Sequence, residues 1–389
     1  MISNNRIVMI GTYKSLIQKV RETLLVALTF VAISCQAQHS EENVHNIPQK
    51  SNIVVGAERM DQYLELAKSK HTAIVANQTS RVGNSHLVDT LLSLGADIRL
   101  IFCPEHGFRG DAAAGATVGN SIDPKTKLPI VSLYGSNKKP TQETLDKYDI
   151  ELIIFDLQDV GCRFYTYIST MHYVMESVAE RTGCSMIVLD RPNPNGHYVD
   201  GPVLEPSLKS FVGMHPGVPV VYGMTIGEYA LMVNGEGWLK NNERCQLQIV
   251  QLDNYTHDSI YHLPVNPSPN LRTPQAIALY PSLCLFEGTH ISVGRGTPYP
   301  FEIIGNDYKM DLRKVEVANK FDLKYLLEMY QHTPKGKFFL NNNFFDKLAG
   351  NTVLRQQIIQ GIPEKKIRDS WEPKLSQFKE IRKKYLLYR

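Results

Sequence analysis

The sequence predicts an α/β protein, with a mostly parallel sheet covered by helices on both faces and a smaller α+β C-terminal domain. Three observations predict it. From about Ser51, apolar runs rich in β-branched residues recur, separated by segments of helical periodicity. These runs are continuous rather than alternating, as expected of strands buried on both faces. Beyond about Asn242 the alternation weakens, and a Pro/Asn-rich stretch, LPVNPSPNLRTPQ (263–275), leads into mixed short segments. A length of 389 residues favours two domains, drawn here as 51–242 and 243–389.

The elements follow in order. A helical segment, AERMDQYLELAKSK (57–70), runs into a first strand, TAIVANQTS (72–80). HLVDTLLSLGA (86–96) has helical spacing and precedes a second strand, IRLIFCPEHG (98–107). LPIVSLYG (128–135) is the third strand, TQETLDKY (141–148) a helix, and ELIIFDLQDVG (151–161) the fourth strand. YTYISTMHYVMESVAERTG (165–183) is a helix ending on a glycine suited to a C-cap, before the fifth strand, SMIVLDRPNPNG (185–196). GMTIGEYALMVNGEGWL (223–239) predicts a helix and turn. CQLQIVQL (245–252) has the period of two of a half-buried strand, and the boundary near Asn242 assigns it to the smaller domain. The tail QFKEIRKKYLLYR (377–389) predicts a surface amphipathic helix with a basic face.

The N-terminus is of another kind. Lys14, Lys19 and Arg21 precede TLLVALTFVAISC (23–35), a basic region followed by an apolar stretch too short for a comfortable membrane span. Residues 1–35 are therefore expected to be a secretory signal and 36–50 a linker. AISC loosely resembles a lipobox, with Ala32 where Leu is usual, so lipidation of Cys35 is one expectation; simple cleavage after Ala37 is the other. The expected location is outside the inner membrane, either periplasmic or membrane-anchored. The first 35 residues hold four basic side chains and one acid of the totals of 42 and 39, so the remainder has 38 of each. A neutral mature chain offers no nucleic-acid surface. Five cysteines remain (Cys103, Cys162, Cys184, Cys245 and Cys284), scattered in apolar runs with no CxxC pair, and read as buried thiols.

Candidate chemistry gathers where strands end. In an open parallel sheet, ligands bind beyond the carboxyl ends of the strands. Here those ends carry Asn77 and Gln78, then Glu105 and His106, then Asp156 and Asp159, then Asp190 and Arg191. Glu105 is the first candidate for a general acid, because a carboxyl at the end of a buried strand loses solvation and holds its proton more tightly. His106 could tune it or bind substrate. Arg163, Tyr165 and Tyr167 follow the fourth strand, and tyrosine rings suit sugars, with apolar faces for stacking and hydroxyls for polar edges. Asn270 and Arg272 lie in a turn-rich stretch whose composition is also that of an ordinary turn. VGRGT (293–297), with Arg295, lacks the third glycine and the lysine of phosphate loops; Glu287 is a further acid from the smaller domain. No GxSxG, HExxH or clustered Cys/His pattern occurs, and no metal or cofactor is expected.

The stretches NQTS, CPEHGFRGDAAAG, FDLQDVGCRFYTYISTM, LDRPNPNG, GMTIGEYA, PSPNLRTPQA and YPSLCLFEGTHISVGRGTPYPFE occur in this order, and together they resemble the NamZ exo-β-N-acetylmuramidases. The resemblance runs from about Val54 to the C-terminus. It implies a Rossmann-like larger domain, a smaller C-terminal domain, a cleft between them, and release of N-acetylmuramic acid from non-reducing ends of peptidoglycan fragments. The family's motif glutamate falls on Glu105. On this reading Glu105 protonates the glycosidic oxygen, and the lactyl carboxylate meets a cation among Arg109, Arg163, Arg191, Arg272 and Arg295. The second catalytic group stays open among Asp156, Asp159, Glu287 and the substrate's own acetamido oxygen. The expected partners are peptidoglycan-derived saccharides (MurNAc-GlcNAc), a membrane through Cys35, and a second copy of the chain. The rival readings are a non-catalytic muropeptide-binding lipoprotein and a metal-dependent cell-wall hydrolase.

Overall fold

The central sheet contains β1 (Thr72–Ala76), β2 (Ile98–Cys103), β3 (Ser121–Ile122), β4 (Pro129–Ser132), β5 (Leu152–Asp156), β6 (Ser185–Leu189) and β7 (Leu247–Val250). The structure, a computed structural model, describes residues 53–105, 107–109 and 120–389. The expected signal, Cys35, the linker and His106 lie outside the described residues. The strand order is β7-β6-β5-β1-β2-β4-β3. All neighbouring pairs are parallel except β3 with β4. β1, β2 and β4 build outward on one side, and β5, β6 and β7 on the other. The strand order therefore reverses between β1 and β5, the position at which this architecture opens a crevice.

Alternation of side chains along each strand makes two cores. Ala73, Val75, Leu100, Phe102, Ile153 and Phe155 enter one apolar cluster. Their neighbours Ile74, Ala76, Ile101, Cys103, Leu152 and Ile154 enter the other. Both sets are fully buried, so the runs read as continuous rather than alternating. The second face is covered by α1 (Leu64–Ser69) and α2 (Leu87–Ser93), through Ala67, Leu87, Val88 and Leu91. The first face takes α3 (Gln142–Lys147), α4 (Tyr167–Ala179) and α5 (Ile226–Gly235), through Leu145, Ile168, Met171, Met175, Tyr229 and Val233. Each such aliphatic side chain stabilises the fold by roughly 1.5–3 kcal/mol relative to exposure. α5 begins on a capping box, with the Thr225 side chain accepting from the Glu228 backbone and the Glu228 side chain accepting from Thr225.

The C-terminal region carries α6 (Pro274–Leu283), a hairpin (Ile303–Gly305 with Lys309–Asp311), α7 (Lys324–Gln331), α8 (Phe344–Ala349), α9 (Val353–Ile359) and α10 (Glu364–Lys383). Thr273 caps α6 and Pro274 fills its first turn, which is why a Pro-rich stretch leads directly into a helix. Phe286, Phe301 and Phe345 share the first core with the sheet, so the region closes over one face without an apolar seam. The strand 247–250, assigned by the sequence pattern to the smaller domain, pairs in parallel with β6 as the last strand of the sheet. α10 buries Ile367, Trp371, Leu375 and Phe378 on one face, and the chain after it is anchored rather than loose: the Tyr388 hydroxyl donates to Asp190 at 2.7 Å. The five described cysteines are buried and unpaired with one another.

Candidate active site

The C-terminal ends of β2, β4 and β5 point to one side of the sheet, as parallel strands must, and bring Glu105, Tyr134 and the segment 164–167 around a cavity of about 180 Å³. The C-terminal region closes it with Glu287 and Arg295, and with Phe301, Phe344 and Leu348 as apolar walls. Glu105 is half-buried two residues beyond β2. The Thr166 hydroxyl, immediately before α4, donates to its Oε2 over a long 3.4 Å. Tyr134 stands two residues beyond β4; burial, and then the neighbouring Glu105 carboxylate, push its phenol up to about 12. Its hydroxyl therefore remains a proton-bearing donor beside the carboxylate at all working pH values. Glu287 lies within the 3₁₀ turn Cys284–Gly288 that continues α6 and is ion-paired with Arg295, whose guanidinium also lies 5.6 Å from the centre of the Phe301 ring.

A second, larger cavity of about 510 Å³ lies over the ends of β6 and β7, lined by His197, Tyr261, His262, Arg272 and Ala278 among others. The two are divided by a bridge of chain, residues 266–273. Asn266, Arg272 and Thr273 face the larger space, and Ser268, Asn270 and Leu271 the smaller. The bridge crosses the β1/β5 switch point and is pinned there. The Pro267 carbonyl accepts from Tyr165 at 2.8 Å, from Gln78 at 3.3 Å and from Tyr167 at 3.4 Å, and Gln78 also donates to Asn266 O at 3.2 Å. Asn77 donates to the Tyr167 hydroxyl at 2.7 Å and so stands behind this arrangement.

The expected site residues thus separate into groups. Glu105, Tyr165, Tyr167, Asn270, Glu287 and Arg295 come together at the small cavity. Asn77 and Gln78 do not reach it as ligands; they build the bridge. Asp156 and Arg191 are spent on each other: Arg191 donates to both carboxylate oxygens, at 2.6 and 2.8 Å, and to Arg81 O at 3.0 Å, with both side chains buried. Asp159 accepts from Gly161 N at 2.7 Å and from the Tyr222 hydroxyl, and burial pushes its carboxyl up to about 6. Gly161 turns there with φ +76°, where a Cβ would meet the Asn193 amide at 2.3 Å, so the sharp exit from β5 requires glycine. Asp190 accepts from Thr225, Gly227 N and Tyr388, tying α5 and the C-terminus to β6.

The arginines separate in the same way. Arg163 is fully buried behind the cavity wall and donates to Leu348 O and Ala349 O, the last carbonyls of α8; burial lowers its pKa to about 10. Arg109 holds Asp123 through two hydrogen bonds, at 3.1 and 2.8 Å, and reaches Asp89. Arg272 lies on the larger cavity. Of the five arginines considered, Arg295 is the one that lines the small cavity among the described residues. Sequence reasoning overlooked Tyr134 and Thr166. The signal was present, since Tyr134 stands just before the glycine that ends LPIVSLYG and Thr166 immediately precedes α4.

The N-terminal profile of the exo-β-N-acetylmuramidase NamZ family matches residues 72–275, and the C-terminal profile matches 278–324 and 310–388. The chain belongs to the NamZ family. It is 36% identical, over 95% of its length and all of the relative's, to the peptidoglycan β-N-acetylmuramidase NamZ of Bacillus subtilis (strain 168). Two crystal structures of DUF1343 family proteins from Bacteroides fragilis NCTC 9343 share the fold. One has a TM-score of 0.79 and 40% identity, covering 87% of this chain and 99% of that one. The other has a TM-score of 0.76 and 26% identity, covering 87% and 100%. The sheet, its helices and the closing C-terminal region are therefore the NamZ architecture, and the Glu105–Glu287 cavity is where its N- and C-terminal portions meet.

Proposed function

We propose that this chain is an exo-acting β-N-acetylmuramidase that releases N-acetylmuramic acid from non-reducing ends of peptidoglycan fragments, with Glu105 as general acid. The observation that carries the reading is the meeting of Glu105, Glu287 and Arg295 in one small cavity of a NamZ-family chain. Glu105 gives its proton to the glycosidic oxygen as the C1–O bond breaks and the positive charge spreads over C1 and the ring oxygen. Tyr134 and Thr166 fix the direction in which the carboxyl points. A Glu287 oxygen is already engaged by Arg295, which weakens it as a nucleophile. Its role is to orient the attacking group, water or the substrate's acetamido oxygen, and to stabilise the charge at C1. On this reading the remaining N–H groups of Arg295 bind the lactyl carboxylate, the group that distinguishes this sugar from N-acetylglucosamine.

Export follows from the same substrate, and the basic-then-apolar pattern of residues 1–35, with Cys35 or Ala37 as the processing point, supports it. Mass spectrometry of the native protein tests this, and an intact N-terminus in the cytoplasm overturns it. The activity is tested with purified protein and a nitrophenyl N-acetylmuraminide, with and without a chelator. Release of nitrophenol that survives the chelator supports the reading. Binding without turnover returns the chain to the sugar-binding class, and loss of turnover with the chelator to the metal-dependent class.

A further inference from the structure

We infer that the larger cavity beyond the bridge is a subsite for the leaving side of the substrate, binding the saccharide that follows the scissile bond. The inference rests on the muramidase reading of the small cavity and extends it to the rest of the chain being cut. An exo-acting enzyme takes one terminal sugar into its pocket, and everything on the other side of the bond lies outside. The small cavity is about a third the volume of the larger one and ends on the apolar wall of Phe301, Phe344 and Leu348. Both cavities lie on the same edge of one sheet: the smaller over β2, β4 and β5, the larger over β6 and β7. The bridge 266–273 runs between them, and its residues face the two spaces by turns. A ligand longer than one sugar that leaves the small cavity across this bridge meets the large one next.

The lining suits a neutral amino sugar. Asn266 and Asn319 offer amides, His197 and His262 offer ring nitrogens, Arg272 offers donors, and Tyr261 and Ile277 offer apolar surface. The His197 ring is hydrogen-bonded to the Asn319 side-chain oxygen at 3.1 Å, which holds two of these groups in place. Arg272 is fixed at the divide, donating to Pro269 O at 2.6 Å and to Thr297 O at 3.5 Å, so the same guanidinium touches the bridge and the loop that carries Arg295. Mixed apolar and polar lining with few charges is the usual make-up of a small-molecule site.

The test separates the two halves of the substrate. Ala278, half-buried on α6 and facing the larger cavity, is replaced by phenylalanine to fill it, and in a second variant the exposed His262 is replaced by alanine. Thermal melting confirms that both are folded. Each is assayed on the natural disaccharide, N-acetylmuramic acid linked to N-acetylglucosamine, and on the nitrophenyl N-acetylmuraminide, which carries no second sugar. Ala278→Phe should lower kcat/KM on the disaccharide by about ten-fold, the worth of one or two lost polar contacts, while turnover of the nitrophenyl glycoside stays within about two-fold. His262→Ala should shift the same ratio in the same direction by a smaller factor. Equal kinetics on both substrates in both folded variants would overturn the subsite. So would equal losses on both, which would make the larger cavity part of the terminal-sugar pocket. Failure of the wild-type protein to hydrolyse the nitrophenyl glycoside would instead remove the muramidase reading itself, and the subsite with it.

Discussion

Replacing Asp156 by asparagine should cost stability and leave catalysis nearly intact, although Asp156 sits at the end of a strand that points toward the active site. Its two carboxylate oxygens accept from Arg191 at 2.6 and 2.8 Å, and neither partner reaches solvent, with relative side-chain exposures of 0% and 2%. Asparagine keeps one acceptor oxygen. Its amide then turns two N–H donors toward a guanidinium that has only donors, and the buried cation loses its counter-charge. Breaking a buried pair from one side typically costs about 3–5 kcal/mol. A domain's whole stability is roughly 5–15 kcal/mol, so the urea midpoint should fall visibly. The assay pairs urea unfolding with kcat and KM measured on protein shown to be folded. Per folded molecule, kcat should stay within about three-fold of wild type, because no transition-state contact has been removed. Adding Arg191→Met removes the stranded cation and should recover part of the loss, a coupling that a double-mutant cycle reads directly. An Asp156→Asn protein of normal stability whose kcat had dropped about a hundred-fold would refute this reasoning and restore Asp156 to the catalytic machinery.

Three further outcomes are expected. Glu105→Gln keeps the volume but cannot deliver a proton, so turnover of the natural disaccharide should fall by about 10²–10⁴-fold, with a smaller loss on a nitrophenyl leaving group and with binding of N-acetylmuramic acid retained by calorimetry. Arg295→Met should raise KM for N-acetylmuraminides and erode the preference over N-acetylglucosaminides by about ten-fold or more, since a charge-assisted pair with the lactyl group is lost; an unchanged preference would place the carboxylate elsewhere. Burial holds the folded Asp159 carboxyl at about 6 against an ordinary 3.8, so its proton is bound more tightly in the folded state. The resulting stabilisation is fully present below the ordinary value and is lost as pH rises through about 6. The ceiling is about 3 kcal/mol for this group. Asp159→Asn should flatten the dependence of unfolding free energy on pH across that window, and a slope unchanged by the substitution would contradict the assignment.

The fold was legible because five apolar runs of strand length, each followed by a polar cluster, can be satisfied only by a sheet covered on both faces. The strand 247–250 was harder. As the outermost parallel strand its exposure alternates, and a period of two in CQLQIVQL does not say which sheet will receive it. Within the site, Glu105 and Glu287 were legible as acids at the ends of apolar runs. Asp156, Asp159 and Asp190 carry the same signal and serve a different purpose, each satisfying buried donors from neighbouring loops. A carboxylate that ends a strand can face a ligand or hold the next loop, and only the position of its partners, which come from residues 161 to 388 of the chain, decides between them. The tyrosines show the same limit: Tyr165 and Tyr167 do line the cavity, but their hydroxyls are committed to the Pro267 carbonyl.

The closed end of the small cavity also bears on how the enzyme moves along its substrate. A polysaccharide can be held continuously during successive cuts only if the groove is open at both ends, so that the shortened strand slides forward as the fragment departs. Here the small cavity ends on Phe301, Phe344 and Leu348, so a strand that enters it across the bridge meets a closed end. On the proposed reading the freed monosaccharide is left against that wall, so the site must empty before another end can dock. Turnover should then be distributive, one sugar per encounter, with accumulating N-acetylmuramic acid competing directly with the strand ends for the same pocket.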